Sequence, residues 1–509
     1  MLLLIFAYCI IGAAVVIGYS ARLLNNPWEN SYFESPQTYA AINAVKTGNL
    51  YIPITEPPYT PQAYAPLYYA INAGLARLAH LDLDRSILYM RFATFLAYLL
   101  CGLMVYLVCQ AAAIPRFYSV LASLMMLGQP DFLGWNISPR PDMLYMLAML
   151  GSLFCVMKWA DRLWLGYGLA GLLAGVSFLI KQPGLAVAAG IFLVLVLEKR
   201  FKQAVVLTVS TIAPVVLVFC ILYFRRDPFF QQIKFVGNSL WSVSDAVNFV
   251  GDHMIIAHWL VPIGLTLLGF FRAVTLDRNA KMIASFTAMN WMMGLATLPQ
   301  IGGYLNYLLP GLIGTALLLP YAVQMIQEHM RSLMTVALAA VILLAATATS
   351  VASVKGAGNY FRAPSQDSLD WLRPYRVLSD LTTMNVHGRD PILLDPFGAH
   401  VLELTGHWDP TPLVDGLNTG LYDMIILTRV NVFHFIPSFR GISYFSPKEI
   451  SIINQKYEIL CTTLDRMVLR PRGRDIPVTP EMIGRMFNES CGTGFRSHPM
   501  SLKLAPDAR

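Results

Sequence analysis

Residues 26–72 read NPWENSYFESPQTYAAINAVKTGNLYIPITEPPYTPQAYAPLYYAIN, a polar stretch rich in aromatics and proline that carries Glu29, Glu34 and Glu56. Hydrophobic segments flank it on both sides. Ser35 is a natural N-cap and Pro36 suits a first helical position. Gly48 is a natural stop, so a short helix is expected over 36–47. Glu34 then stands just ahead of a helix N-terminus, where partial positive charge favours the ionised carboxylate that a general base requires. An isolated glutamate there also simply improves helix capping. Glu29, five residues earlier, would lie off the Glu34 face of any shared helix, so the two need not act together. A second short helix is expected from Pro66, carrying Tyr68, Tyr69 and Asn72, with aromatics suited to a membrane–water boundary.

The rest of the chain places this stretch at a bilayer. Of 509 residues, 56% are hydrophobic and 13% charged, with a mean hydropathy of +0.53. That composition excludes an ordinary soluble domain. The net charge of +7 reflects basic residues clustered in short loops, which bias topology rather than bind nucleic acid. The first apolar run, 1–19, lacks a basic n-region and a clear cleavage site and reads as a retained helix.

Apolar runs at 1–19, 87–110, 117–129, 141–158, 164–180, 183–197, 204–224, 254–271, 282–298, 306–326 and 332–354 give about eleven spans, the shorter ones near the lower limit for crossing. Arg116, Lys158, Arg162, Lys199, Arg200, Lys202, Arg272, Arg278, Lys281 and Arg331 fall on one side, which the positive-inside rule makes cytoplasmic. The N-terminus is then inside, and the Glu34 loop and the tail are outside. The fold expected is an α-helical polytopic membrane protein. A transmembrane module covers 1–355, with its first external loop at 20–86, and a small α/β extracytoplasmic domain covers 356–509.

Ionisable groups also stand at the outward span ends: Arg91, the pair Arg140 and Asp142 in WNISPRPD (135–142), and Lys181 in a charged hairpin. Asn306 and Tyr307 in GGYLNYLLP (302–310) join them. Charges at membrane depth usually line a pathway or a site, although Arg140 could pair with Asp142 and Lys181 could snorkel. The outward loop 224–252 interleaves Arg225, Arg226 and Lys234 with Phe229, Phe230, Phe235 and Trp241, as an interfacial segment able to close over a lipid-borne substrate does.

The tail alternates strand-like runs (392–394, 424–427, 467–469) with helical ones (398–406, 447–456), the pattern of a small α/β domain. It has no glycine-rich phosphate loop, nucleophile elbow or metal-ligand spacing; His400 and His407 read as surface or structural. A lid or scaffold role fits best. Cys461 and Cys491 are candidates to pair if the tail is exported, while Cys9, Cys101, Cys109, Cys155 and Cys220 lie in apolar segments where packing is the default. Asn136 and Asn488 begin glycosylation sequons, a pattern common by chance.

One carboxylate and several cations facing outward suit a particular chemistry. Arg91, Arg140 and Lys181 could hold a lipid phosphate by charge-assisted hydrogen bonds. A first-loop glutamate could take the proton of an acceptor hydroxyl as it attacks an anomeric carbon. Tyr64, Tyr68, Asp142, Asn306 and Tyr307 are then candidate substrate contacts. The succession PWENSYFES, KTGNLY, YAPLYYAINAGL, RPD (140–142), LIKQPG (179–184) and GGYLNYLLP resembles the GT-C superfamily of polytopic glycosyltransferases, which includes protein O-mannosyltransferases, lipid A aminoarabinose transferases and core-galacturonosyl transferases. The likeness covers roughly the first 310 residues, and the exported tail resembles the soluble caps of many members. It implies a polyprenyl-phosphate sugar donor, a glycan, lipid or protein acceptor, an inverting transfer and an acidic base in the first external loop. Glu34 matches that position best and Glu29 second. Many members carry adjacent Asp-Glu here. In this chain Asn30 follows Glu29 and Ser35 follows Glu34, which leaves the base open between them and argues against a divalent metal; no cofactor is expected.

Two other readings compete. A sugar or polyprenyl-lipid transporter or flippase would also hold charges at membrane depth, but predicts an internal repeat of spans and charges near the midplane. An envelope scaffold explains the tail and leaves the acidic loop without a role.

Overall fold

The computed structural model describes residues 2–26, 29–30, 32–236, 240–255, 260–300, 303–329, 369–428, 435–436, 438–439, 442–463, 466–487, 491 and 503–504. The expected span at 332–354, the domain boundary at 355/356 and the sequon at Asn488 lie outside the described residues.

The chain is mostly helical. Its first part contains α1 (Leu2–Leu23), α2 (Glu34–Thr47), α3 (Pro66–Leu78), α4 (Leu83–Ala111), α5 (Arg116–Gly128), α6 (Asp142–Lys158), α7 (Leu169–Ile180), α8 (Ala186–Leu197), α9 (Phe201–Phe224), α10 (Phe229–Val236), α11 (Val243–Ile255), α12 (Leu260–Ala273), α13 (Arg278–Thr297) and α14 (Leu309–His329). Among the described residues four helical stretches are long and apolar enough to cross a membrane: Leu83–Ala111, Leu163–Ile180, Phe201–Phe224 and Leu309–Glu328. Cys9–Leu23, Arg116–Gly128, Gln182–Leu197 and Pro262–Ala273 are apolar but shorter.

Helix α6 lies at the centre of the bundle. Met143, Tyr145, Met146, Met149, Leu150 and Leu153 bury several sides of it at once, as expected of a helix apolar all round. Helix α9 is the opposite case. Val205, Val209, Ile212 and Val216 are apolar yet exposed, and their spacing puts them on one stripe, a face that lipid would cover. Helices α7 and α9 cross closely because a Cβ at Gly171 or Gly175 would stand 2.4 Å from the Leu207 carbonyl oxygen or 2.6 Å from that of Thr211. Small residues permit such crossings in bundles.

The tail forms a mixed four-stranded sheet of β1 (Val377–Ser379), β2 (Met424–Thr428), β3 (Tyr457–Thr462) and β4 (Arg466–Pro471), in the order β1-β2-β4-β3. β1 and β2 are parallel; β4 is antiparallel to both β2 and β3. Cap helices Pro396–Leu404 and Pro447–Lys456 fall close to the stretches expected from sequence. The latter starts with a complete capping box between Ser446 and Glu449, which satisfies two otherwise orphaned backbone donors. Residues 392–394 are not a strand. The Leu394 N–H donates to the Pro58 carbonyl of the first loop, so that backbone bonds to the loop rather than to the sheet. Cys461 and Cys491 are bonded to each other.

The first loop is part of both bodies. Ile54 and Tyr59 belong to the apolar core of the cap, together with Leu378, Trp408, Tyr422 and Ile425. Tyr51, Tyr64, Tyr68 and Tyr69 belong to the core of the helical bundle. Tyr68 and Tyr69, read from sequence as boundary aromatics, are fully buried. The Tyr68 hydroxyl donates to the Pro139 carbonyl at 2.5 Å, which provides the partner a buried phenol needs. The loop 224–252 also holds the first loop: Asp227 accepts the Leu50 N–H at 2.7 Å, and Gln232 accepts from the Gln62 N–H and donates to the Ile52 and Thr60 carbonyls.

Candidate active site

Helix α2 begins two residues before the expected start. Phe33 takes a left-handed φ of 87° as its N-cap, with no side-chain capping bond, and Glu34 is the first helical residue. Ser35 therefore does not cap; its hydroxyl lies 3.3 Å from that of Thr383 in the cap. Gly48 ends the helix at φ 81°, a conformation glycine adopts without steric cost.

Glu34 is completely buried. Its Oε2 accepts from Arg91 Nη2 at 2.6 Å, Arg91 Nε at 3.3 Å and the Asn30 N–H at 3.1 Å. Arg91 also donates to the Asn26 carbonyl, and to that of Leu24 at 3.3 Å. Expected as a phosphate ligand, Arg91 instead holds Glu34 and the end of α1, and it is itself buried. Glu34 Oε1 has no hydrogen-bond partner among the described residues. One carboxylate oxygen is thus anchored, and the other is available as a proton acceptor.

Glu29 is held from the cap. Its Oε1 accepts the Ser35 N–H at 2.7 Å and the Thr382 hydroxyl at 2.5 Å. Burial is the main cause that raises its pKa to about 7; the nearby Glu34 charge adds to this and the two hydrogen bonds oppose it. The Tyr32 hydroxyl donates to Asp395 Oδ1 at 2.6 Å, and burial raises Asp395 to about 6. His387 Nε2 is 3.3 Å from Asp84 Oδ1. Sequence reasoning missed Tyr32, Thr382, Thr383, His387 and Asp395. The cap residues lie some 350 positions from the loop (353 between Glu29 and Thr382), and none sits in a motif.

Arg140 links this region to a second polar group. Its guanidinium donates to the Tyr32 carbonyl, contacts the Tyr64 hydroxyl at 3.5 Å and lies 4.6 Å over the Trp135 ring. It stands within electrostatic reach of both Glu34 and Asp142. Asp142, the first residue of α6, pairs with Lys181 at 2.6 Å through Oδ1, which also accepts from Asn306 Nδ2 at 3.3 Å. Lys181 therefore does not snorkel; its ammonium lies 4.6 Å over the Tyr307 ring and 5.5 Å over that of Tyr145. Asp142 Oδ2, Asn306 Oδ1 and the Tyr145 hydroxyl are buried without partners among the described residues. Buried polar atoms are ordinarily satisfied, so these three are open to polar atoms of a ligand or to water. Tyr64 and Tyr68 pack edge to face at 5.1 Å beside Arg140.

The residues expected at the site thus fall into two polar groups, one around Glu34 and Arg91 and one around Asp142 and Lys181, with Arg140 between them and Tyr64 and Tyr68 beside it. Among the described residues no three His, Cys, Asp or Glu side chains are grouped to hold a metal ion. Asn136 is buried and donates to Ser20, which removes it as an accessible glycan acceptor.

No family model matches the sequence, and no curated protein matches it either. Solved structures do. The crystal structure of ArnT from Cupriavidus metallidurans in the apo state is 13% identical with a TM-score of 0.53, over 90% of this chain and 98% of that one. The same protein bound to undecaprenyl phosphate gives 13% and 0.54, over 90% and 97%. The archaeal oligosaccharyltransferase AglB from Archaeoglobus fulgidus, in complex with an inhibitory peptide and a dolichol-phosphate, is a more distant likeness at 12% and 0.49, over 83% and 69%.

Proposed function

We propose that this chain, which has the GT-C fold, is a membrane glycosyltransferase that moves a sugar from a polyprenyl-phosphate donor to a cell-envelope acceptor. Glu34 is the general base. The observation that carries this reading is the asymmetry of its carboxylate: Oε2 is fixed by Arg91 and the Asn30 N–H, and Oε1 is buried and unpartnered. In the reaction the acceptor oxygen attacks the anomeric carbon, its proton passes to Glu34 Oε1, the bond between the anomeric carbon and the phosphate oxygen breaks, and the polyprenyl phosphate leaves as the anion. A single in-line displacement inverts the anomeric centre.

Arg140 is assigned to the donor phosphate because it lies between the Glu34 and Asp142 regions on a flat aromatic support, and a guanidinium suits phosphate oxygens. Lys181 is the second cation. Asp142, Asn306, Tyr307, Tyr64 and Tyr68 would contact substrate, with the unpartnered Asp142 Oδ2 and Asn306 Oδ1 free to bond sugar hydroxyls. The reading uses no metal ion, since Arg91 already neutralises Glu34. It places the enzyme in a bacterial plasma membrane with about eleven spans, the N-terminus cytoplasmic and the cap outside. The fold of a lipid-phosphate-binding neighbour supports this over a flippase.

Glu29 is the second candidate for the base, on one specific ground. A base works best with a pKa near the working pH, and Glu29 is raised to about 7. Its Oε1 is bonded to Ser35 and Thr382, so Glu29, like Glu34, has one anchored oxygen, and paired variants are needed to separate the two. The test offers a panel of polyprenyl-phosphate sugars to purified wild type, Glu34→Gln and Glu29→Gln in proteoliposomes. Loss of transfer in Glu34→Gln with retention in Glu29→Gln supports the assignment. The reverse moves the base to Glu29, and no turnover of any donor by wild type removes the transferase reading.

A further inference from the structure

A cavity of about 440 Å³ opens between the first loop and the cap. It is walled by Tyr39 of α2, Pro57 and Pro58 of the loop, and Arg376, Asp390 and Ile392 of the cap. The size falls within the usual range for small-ligand sites. Its charge is unbalanced in a specific way. Asp423, nearly buried, accepts the Arg376 backbone N–H at 2.8 Å and pairs with Arg474 at 3.2 Å and Arg389 at 3.7 Å. That carboxylate is saturated by other groups. The Arg376 guanidinium has only a loose 3.6 Å contact with Asp390, whose side chain is 70% exposed, and such a pair contributes little. Arg376 Nε is buried with no partner among the described residues. Three guanidiniums thus face two carboxylates, and the one lining the cavity is the least satisfied.

We propose that this cavity is the acceptor subsite and that it takes an acidic sugar, one whose carboxylate or phosphate is held by Arg376 while its ring packs on Tyr39 and the two prolines. A guanidinium fork matches either oxyanion, and Nε is one of the donors that a bidentate contact uses. Tyr39 and Glu34 lie on the same helix, five residues and about 7.5 Å of rise apart but on different faces of it. The closer link is through the cap: Ile392 in the cavity wall stands three residues from Asp395, which accepts from Tyr32, two residues before Glu34. The acceptor role rests on the transferase reading above; the acidic-sugar site does not.

The test measures equilibrium binding to the full-length protein in nanodiscs by calorimetry, with digalacturonate, glucose 6-phosphate and neutral maltose as probes. At least one acidic probe should bind and maltose should not; which of the two binds separates carboxylate from phosphate recognition. Arg376→Gln should weaken binding about tenfold or more, the size of a lost charge-assisted hydrogen bond. Asp390→Asn, an exposed change that removes the competing carboxylate, should tighten it. Absence of binding by both acidic probes, wild-type affinity in both variants, or equal binding of maltose each overturns the site. Binding of an acidic probe that is not competed by the acceptor identified in the transfer assay, or a chain with no transfer activity at all, overturns the acceptor role and leaves the acidic-sugar site standing.

Discussion

Replacing Glu34 by Gln separates the proposed catalytic role from the structural one, because the proposal assigns them to different oxygens: Oε2 is held by Arg91 and the Asn30 N–H, and Oε1 takes the proton. Gln can still accept the Asn30 N–H and an Arg91 hydrogen bond, so the shape of the loop is kept. What is lost is the charge opposite Arg91, a cation with 2% of its surface exposed. The charge-assisted part of the 2.6 Å bond is worth about 1.5–3 kcal/mol, and thermal melting in detergent should fall accordingly. Loss of the base should lower the rate by about 10²–10⁴-fold, which is about 3–5 kcal/mol of barrier. Arg91→Gln alone leaves a buried, unpaired carboxylate and should destabilise by about 3–5 kcal/mol. The double variant Glu34→Gln/Arg91→Gln pairs two neutral amides. Its melting temperature should rise above that of Arg91→Gln, and its transfer rate should stay as low as that of Glu34→Gln. If transfer in the double variant returns to within about tenfold of wild type, a deficit smaller than a positioned base ordinarily supplies, then Glu34 is only the counter-ion of Arg91 and the base lies elsewhere.

Three further outcomes are expected. Lys181→Met leaves Asp142 buried and unpaired and should cost about 3–5 kcal/mol of stability, with Asp142→Asn/Lys181→Met recovering much of it; melting curves of the three proteins check this. Burial raises Glu29 and Glu449 to about 7 and Asp380 and Asp395 to about 6, above the ordinary carboxylate values near 4. Between about pH 4 and 7 the folded protein therefore binds more protons than the unfolded chain, and stability falls as pH rises through that window; melting should occur at higher temperature at pH 5 than at pH 8, and Glu29→Gln should flatten the profile. The Cys461–Cys491 bond spans a sequence separation of 30 and should contribute about 3–4 kcal/mol to the cap by loop-closure entropy, so Cys461→Ser/Cys491→Ser should lower the cap's melting transition; proteolysis rates of the two proteins provide a second readout.

Four of the expected apolar spans, at 87–110, 164–180, 204–224 and 306–326, match helical stretches long and apolar enough to cross a membrane; they were legible in the sequence because the length and composition of a span follow from the solvent it faces. α9, with its exposed Val205 and Val209 stripe, is the plainest case. The ends of the elements were less so. Ser35 and Pro36 form a good local start signal, yet the helix begins at Glu34, because Phe33 adopts a left-handed φ that no local rule assigns to an aromatic residue. The strand expected at 392–394 failed for a related reason: its backbone bonds to Pro58, more than 300 residues away. Periodicity reports burial, and burial against a loop looks the same as burial in a sheet. The sequence singles out Arg91, Arg140 and Lys181 because ionisable groups at span ends are rare. Their partners were not legible, since nothing in the sequence distinguishes an arginine that pairs with a carboxylate from one that bonds a backbone carbonyl. Arg91, Arg140 and Lys181 look alike in one dimension and have three different surroundings in the fold.

That difference bears on what the cap is for. Among the described residues, polar side-chain contacts that join it to the first loop and its neighbour include Thr382 to Glu29, Thr383 to Ser35, Asp395 to Tyr32 and His387 to Asp84. Three of these residues lie within five positions of Glu34, and the Asn30 N–H that fixes Glu34 Oε2 belongs to the same turn. A loop that carries Glu34 on a left-handed start with no side-chain cap has little local reason to hold one geometry. Arg91 anchors it from the bundle and the cap anchors it from outside. Catalysis by a positioned base is sensitive to displacements of about 1 Å, so removing either anchor should reduce turnover more than it changes donor binding. A passive cover would not need hydrogen bonds at 2.5 and 2.6 Å to the turn that carries Glu34. On the proposed assignment of Glu34, the cap takes part in setting the base, and its contacts give a route by which a domain far along the chain could influence that carboxylate.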